Sequence, residues 1–260
     1  MKLTHYTLPL GRFNKQCTMA VISDLHGGDP EPVLDVLWRD PPDYILMPGD
    51  LFERLDGTPD SYHRNALRLF REAAQIAPVF YSTGNHEDGG VHSWSPGWRI
   101  KVRKREYHED DLRQIRDSGV TMLADEFVWK DGIAFGGLCS GLIHADRAPD
   151  VQWLEEFCRV DAPRVLLCHH PEYYEPYLKH LPIDLIVSGH AHGGQWRFFG
   201  RGVFAPGQGL FPKYTFGVHD GRFVISAGLK KAGWIPRFGN PPELVYIHFT
   251  PETQWKNKRN

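Results

Sequence analysis

The amino-acid sequence predicts a protein of the α/β class, on three observations. Between Met19 and Ser82, short apolar runs alternate with stretches of helical periodicity. Each of those runs ends in a polar turn marked by glycine, the position at which open α/β sheets place their ligands. From Val120 onward, strand-like segments outnumber helical ones. At 260 residues, with no internal repeat and no linker, the chain is expected to form one domain over 1–260.

Met19-Ala20-Val21-Ile22 reads as a buried strand that ends in Ser23-Asp24-Leu25-His26-Gly27-Gly28. Glu31 to Arg39 sets Val33, Leu34 and Leu37 on one face and predicts a helix. Tyr44 to Met47 is the second strand, ending in Pro48-Gly49-Asp50. Thr58-Pro59 supplies a cap and a first-turn proline, and Tyr62, Ala66, Leu69, Phe70 and Ala73 carry the helix to about Ala77. Pro78 to Ser82 is the third strand, ending in Thr83-Gly84-Asn85-His86-Glu87. Glu109 to Ser118 is a short helix stopped by Gly119. Val120 to Leu123, Phe127 to Lys130 and Ile133 to Leu138 are strands, the last two joined by an Asp131-Gly132 turn. Pro149 to Arg159 returns to helical spacing, and Arg164 to Cys168 is a buried strand ending in His169-His170-Pro171. Glu172 to His180 reads as a tyrosine-bearing helix, and Asp184 to Ser188 leads into Gly189-His190-Ala191-His192-Gly193-Gly194. Phe223 to Ser226 and Leu244 to Phe249 close the fold, and Trp255 to Asn260 is a polar tail.

Hydrophobic residues at 41% and charged residues at 24% are ordinary for a soluble globular chain. A net charge of −2 and a pI near 6.7 give no electrostatic case for nucleic acid. No run approaches the ~20 apolar residues that cross a bilayer, and Met1 to Thr18 does not read as a signal peptide. The expected location is the cytoplasm. Cys17, Cys139, Cys158 and Cys168 form no close pair and no zinc-like spacing, so reduced core thiols are expected.

Five strand ends carry ligand-type residues: Asp24 with His26, Asp50, Asn85 with His86, His169, and His190 with His192. In an extended backbone His190 and His192 share a face and reach one site. Carboxylate, amide and imidazole together suit Mn²⁺, Fe²⁺ or Zn²⁺. Even without His86, the seven that remain exceed the needs of one catalytic ion with an open position, so two ions are expected.

The ordered set Asp-x-His (24, 26), Gly-Asp (49, 50), Gly-Asn-His-Glu (84 to 87), His (169) and Gly-His-x-His (189 to 192) resembles the calcineurin-like metallophosphoesterase superfamily. His192-Gly193-Gly194-Gln195, Pro236-Arg237 and Pro241-Pro242-Glu243-Leu244 are similar to the small bacterial phosphodiesterases of the YaeI/YkuE-like branch. The resemblance implies a four-layer α/β/β/α sandwich with two mixed sheets and metals at the strand ends. It implies one ion on Asp24, His26 and His192, another on Asn85, His169 and His190, and Asp50 bridging them. It favours His169 over His170 and leaves His170 a neighbouring structural or rim residue.

Two ions ~3.5–4 Å apart clamp a phosphoryl group and lower the pKa of a bridging water, whose hydroxide attacks phosphorus. His86 is expected to protonate the leaving oxygen, since an imidazole titrates near neutrality. Glu87 is expected to orient His86 or a ligand; Arg237 reads as a phosphate contact or a surface ion pair. The ions expected are Mn²⁺, Fe²⁺/Fe³⁺ or Zn²⁺, and the substrate a small phosphoester, a phosphodiester before a monoester. The alternatives are a pyrophosphohydrolase of a nucleotide-linked lipid precursor and an inactive binding protein, which would be expected to have lost ligands. The basic, tryptophan-bearing stretch 90–105 reads as a solvated loop, a rim for anionic substrate or a peripheral membrane contact. The aromatics after His192 are expected in the core or in a substrate wall, and Gly193 and Gly194 as room for the substrate phosphate.

Overall fold

The computed structural model describes residues 1–9, 11–13, 15–53, 60–88, 109–140, 149–230 and 236–250. The stretch 89–108, with the basic loop, lies outside the described residues, as do Thr58-Pro59 and the tail from 251.

The elements run β1 (Lys2–Pro9), β2 (Cys17–Val21), α1 (Glu31–Arg39), β3 (Tyr44–Pro48), α2 (Asp60–Ile76), β4 (Val79–Ser82) and α3 (Asn85–Asp88). Then come α4 (Glu109–Asp117), β5 (Thr121–Met122), β6 (Glu126–Lys130), β7 (Ile133–Leu138), α5 (Leu154–Arg159), β8 (Arg164–Cys168) and β9 (Leu185–Ser188). Two small hairpins follow, β10 (Arg197–Phe198) with β11 (Arg201–Gly202), and β12 (Phe204–Ala205) with β13 (Gly209–Leu210). β14 (Gly217–His219), β15 (Phe223–Ile225) and β16 (Glu243–Thr250) complete the order.

Two six-stranded mixed sheets result, ordered β1-β16-β2-β3-β4-β5 and β14-β15-β9-β8-β7-β6. β2, β3, β4 and β5 are mutually parallel, as are β7, β8, β9 and β15. The apolar runs are unbroken rather than alternating because both faces of each strand are covered. Met19 and Val21, Tyr44 and Leu46, and Phe80 point from the first sheet into a core that also holds Phe135, Val165, Leu167, Leu185 and Val187 of the second. Phe80 and Phe135 stack across that interface with ring centres 3.8 Å apart. The opposite faces give Ala20, Ile45, Met47 and Tyr81 to a core under α1 and α2, and Leu166, Cys168 and Ile186 to one under α5 and the 171–178 segment. Helices, sheet, sheet and helices therefore form the α/β/β/α sandwich, with the parallel strands of both sheets ending at one rim.

Several local expectations change. The N-terminal stretch is a full edge strand, β1, parallel to β16 from Lys2 against Glu243 to Pro9 against Thr250. Only Thr4 and Leu8 of it are buried, so its sequence carries little apolar signal. The helix expected from Pro149 begins only at Leu154. The helix expected over 172–180 is a 3₁₀ turn at Pro171–Tyr173 followed by a π turn at Tyr174–Leu178. The Asp131-Gly132 turn has φ of 52° and 80°, the left-handed pair a tight hairpin requires. Cys17 and Cys168 are core residues, whereas Cys139 and Cys158 are partly exposed. Among the described residues no helix is long and apolar enough to cross a membrane.

Candidate metal centre

The five strand ends converge. Asp24 and His26 follow β2, Asp50 follows β3, Asn85 and His86 open α3 after β4, His169 follows β8, and His190 and His192 follow β9. All are buried except His86, which is partly exposed. Asp24, His26 and His192 bring ligand atoms within 4.8 Å of one another, and so do Asp50, His169 and His190. Asp50, expected between the two ions, is grouped here with His169 and His190, and Asn85 stands beside His86 on the same turn.

The backbone reaches this arrangement at a cost. Asp24, His26, Asp50, His190 and His192 have φ of 55°, 46°, 54°, 62° and 45°. Left-handed backbone disfavours an L-residue by about 1–2 kcal/mol each, and such strain collects at functional sites. It also corrects the extended-backbone reading of His190 and His192: they sit in a turn, each re-aimed by its own left-handed residue. Close approach of the turns requires glycine at two positions. A Cβ at Gly84 would stand 2.6 Å from the Asp50 amide nitrogen, and one at Gly189 2.6 Å from Asp24 Oδ2.

Hydrogen bonding then aims each side chain. Asp24 Oδ1 accepts the His190 amide N–H at 3.0 Å, and Asp50 Oδ1 accepts that of His86 at 2.9 Å. The other oxygens, Asp24 Oδ2 and Asp50 Oδ2, are buried and accept no hydrogen bond. Asp50 Oδ2 lies 3.1 Å from His169 Nε2 and 3.8 Å from His26 Nε2, between the two groups. His169 Nδ1 donates to the Pro48 carbonyl at 2.7 Å and His192 Nδ1 to that of Lys230 at 2.9 Å, so both present Nε2 to the centre. Buried bare carboxylate oxygens facing bare imidazole nitrogens are a donor set that a divalent cation completes. The residues present fit two such ions.

The electrostatics agree. Burial would raise Asp50, but the imidazoles of His169, His86 and His26 hold it well below the usual carboxylate range. Burial would lower His169, yet the Asp50 carboxylate raises it to about 10. His192, where burial dominates, falls to about 4 and stays a neutral ligand.

Three polar residues, Glu87, Glu53 and Arg237, support the centre. Of the two roles expected for Glu87 it serves a ligand rather than His86: its carboxylate accepts the amide N–H groups of Asp50 (2.8 Å), Leu51 (2.7 Å), Phe52 (3.0 Å) and Gly84 (2.6 Å), fixing the turn that carries Asp50. His86 is instead held by Glu53, 2.9 Å from its Nδ1, which also stands 3.5 Å from His26 Nδ1. The signal for it in the sequence is an acid three residues after Asp50. Burial would lower His86, but Asp50 and Glu53 raise it to about 9. Arg237 donates to the carbonyls of Ala227 and Lys230, the second of which also receives His192, so it braces the backbone behind a ligand.

The glycines after His192 are not open space. A Cβ at Gly193 would stand 2.9 Å from Asn240 Cγ, and one at Gly194 3.1 Å from the Gly202 carbonyl carbon. They admit the β10–β11 hairpin and the Asn240 side chain, whose amide donates to the carbonyls of His192 and Gln195. Trp196, Phe198, Phe199, Phe211 and Phe238 are exposed rather than in the core.

Two facing sheets whose strand ends pool carboxylates, an amide and imidazoles define a metallophosphoesterase-type protein. A model of the calcineurin-like phosphoesterase family matches residues 18–194, which includes every strand end that feeds the centre, and the chain belongs to that family. Its relatives include an uncharacterized metallophosphoesterase of Helicobacter pylori, 24% identical over 97% of this chain, and YpbG of Bacillus subtilis, 26% identical over 94% of this chain and 86% of its own length. The chain spans 65% of the Helicobacter protein. Among solved structures, TT1561 of Thermus thermophilus covers 67% of this chain and 82% of its own, with a TM-score of 0.44 and 15% identity.

Proposed function

We propose that the protein is a dimetal-dependent phosphoesterase that hydrolyses phosphodiesters, with His86 as general acid. Asp24, His26 and His192 would hold one ion, Asn85, His169 and His190 the other, and Asp50 would lie between them. The observation that carries this reading is the pair of buried carboxylates, each with one oxygen held by a backbone N–H and the other bare toward imidazoles. Ions bound there supply Lewis acidity and an activated water. The Glu53 carboxylate accepts a hydrogen bond from Nδ1–H of His86, which leaves Nε2–H to give a proton to the departing alkoxide. The Asp50 and Glu53 carboxylates raise the His86 pKa, the direction an acid requires. The preference for diesters follows the resemblance to small bacterial phosphodiesterases.

A nucleotide-linked lipid pyrophosphate is the second reading. It is favoured by Trp196 and Phe198, exposed on the chain that leaves the His192 turn, and by exposed Phe238, which bridges to Trp196 and is in ring contact with Phe198. A screen of metal-loaded protein against aryl phosphodiesters, pyrophosphates and monoesters separates the two. For the acid, H86A keeps two ions and loses about 10²–10⁴-fold in rate on diesters with poor leaving groups, and much less on activated aryl esters. An equal loss across leaving groups removes His86 from the acid role.

A further inference from the structure

Beside the centre stands a further cluster of His170, Glu172 and His190, of which only His190 is among the ligands assigned above, with ligand-type atoms within 4.8 Å of one another. Glu172 lies in the 3₁₀ turn that follows β8. Its Oε1 is 3.3 Å from His170 Nδ1 and 3.6 Å from His190 Nε2. Those two nitrogens and both Glu172 oxygens are buried and make no hydrogen bond. The far side of His170 is settled, because its Nε2 pairs with the Ser140 hydroxyl. The carboxylate is hemmed in by backbone, since a Cβ at Gly207 would stand 2.7 Å from Glu172 Cδ.

We propose that Glu172 is a positioning residue for the second ion: one carboxylate oxygen takes the Nε2–H of His190 and the other the Nδ1–H of His170. The inference rests on the dimetal reading above. A neutral imidazole has one N–H and one lone pair. If Nε2–H of His190 faces Glu172, the lone pair is on Nδ1, which is then the atom left for the group that His190 forms with Asp50 and His169. The proton inventory then closes. Ser140 donates to His170 Nε2, His170 Nδ1–H and His190 Nε2–H go to Glu172, and no ring needs a second proton. At 3.3 and 3.6 Å, both to Oε1, the two contacts are longer than formed hydrogen bonds; Oε2 is equally bare, so the carboxylate has one oxygen for each ring. The alternative, a third cation held by the same atoms, would require His190 to serve two ions and so to lose its remaining proton. The arrangement is a carboxylate–histidine–metal relay, in which the outer carboxylate sets tautomer and ring orientation.

The test uses the full chain as wild type, E172A and E172Q. Mn²⁺ titration followed calorimetrically gives stoichiometry and affinities, and ¹¹³Cd-loaded, ¹⁵N-histidine-labelled protein shows which His190 nitrogen couples to metal. Wild type is expected to bind two ions, with coupling at His190 Nδ1. E172A weakens one ion about 10–100-fold and leaves the other unchanged. E172Q, whose amide oxygen still accepts one N–H, falls between them. The inference is overturned by unchanged affinities in a folded E172A, by coupling through Nε2 in wild type, or by three ions in wild type with the third lost in E172A. Wild type that binds no ion overturns the dimetal reading itself, an outcome visible before any variant is made.

Discussion

Replacing Glu87 with glutamine should unfold more of the protein than any exposed substitution, for a reason that can be counted. The carboxylate is fully buried and accepts four backbone N–H groups, two on each oxygen: Leu51 and Phe52 on Oε1, Asp50 and Gly84 on Oε2. Glutamine offers one carbonyl oxygen, so one pair of donors is kept and the other meets an NH₂ group. Two charge-assisted bonds are lost, at about 1.5–3 kcal/mol each, which makes roughly 3–6 kcal/mol. That is a large part of the 5–15 kcal/mol or so that holds a typical domain together. Urea denaturation of chelator-treated wild type and E87Q measures it without a contribution from bound ions, as a fall in midpoint at unchanged slope. Because the same turn carries Asp50, the surviving folded E87Q should also bind metal more weakly. A loss of less than about 1 kcal/mol would refute the idea that this carboxylate fixes the turn.

Two further outcomes are expected. E53Q should lower the rate on poor leaving groups about 10–100-fold, and H86A/E53Q should be no slower than H86A, because the two residues act as one unit; additive losses in the double variant would separate them. F135A, which removes a fully buried ring stacked on Phe80, should cost about 3–5 kcal/mol in urea denaturation and leave metal affinity in the folded fraction unchanged; a change in affinity would couple the inter-sheet core to the centre.

The fold was legible where strands are buried on both faces. Met19 to Ile22, Tyr44 to Met47 and Val165 to Cys168 are unbroken apolar runs because each separates two cores. β1 was illegible for the opposite reason: an edge strand with two buried residues in eight has no such run. The segment after His170 reads as one helix by spacing, but Pro171 starts a 3₁₀ turn and the chain widens to a π turn at Tyr174. At the centre, residues that follow strands into glycine-marked turns could be picked from sequence, because that position is itself the signal. The supports could not. Glu87 touches backbone amides 35 to 37 residues away, and Glu172 faces His190 across a turn. Neither relation has a periodicity. The left-handed backbone at Asp24, His26, Asp50, His190 and His192 was likewise invisible, since nothing local marks an aspartate or histidine that tertiary contacts hold at positive φ.

The most direct test of a two-ion phosphoesterase is to load the full chain with Mn²⁺, remove free ion, and measure bound metal and aryl phosphodiester hydrolysis on the same sample, before and after chelation and reloading. The account predicts about two ions per chain, with hydrolysis lost on chelation and regained on reloading. Bound metal at trace level after reloading, or hydrolysis that survives complete chelation, would contradict it.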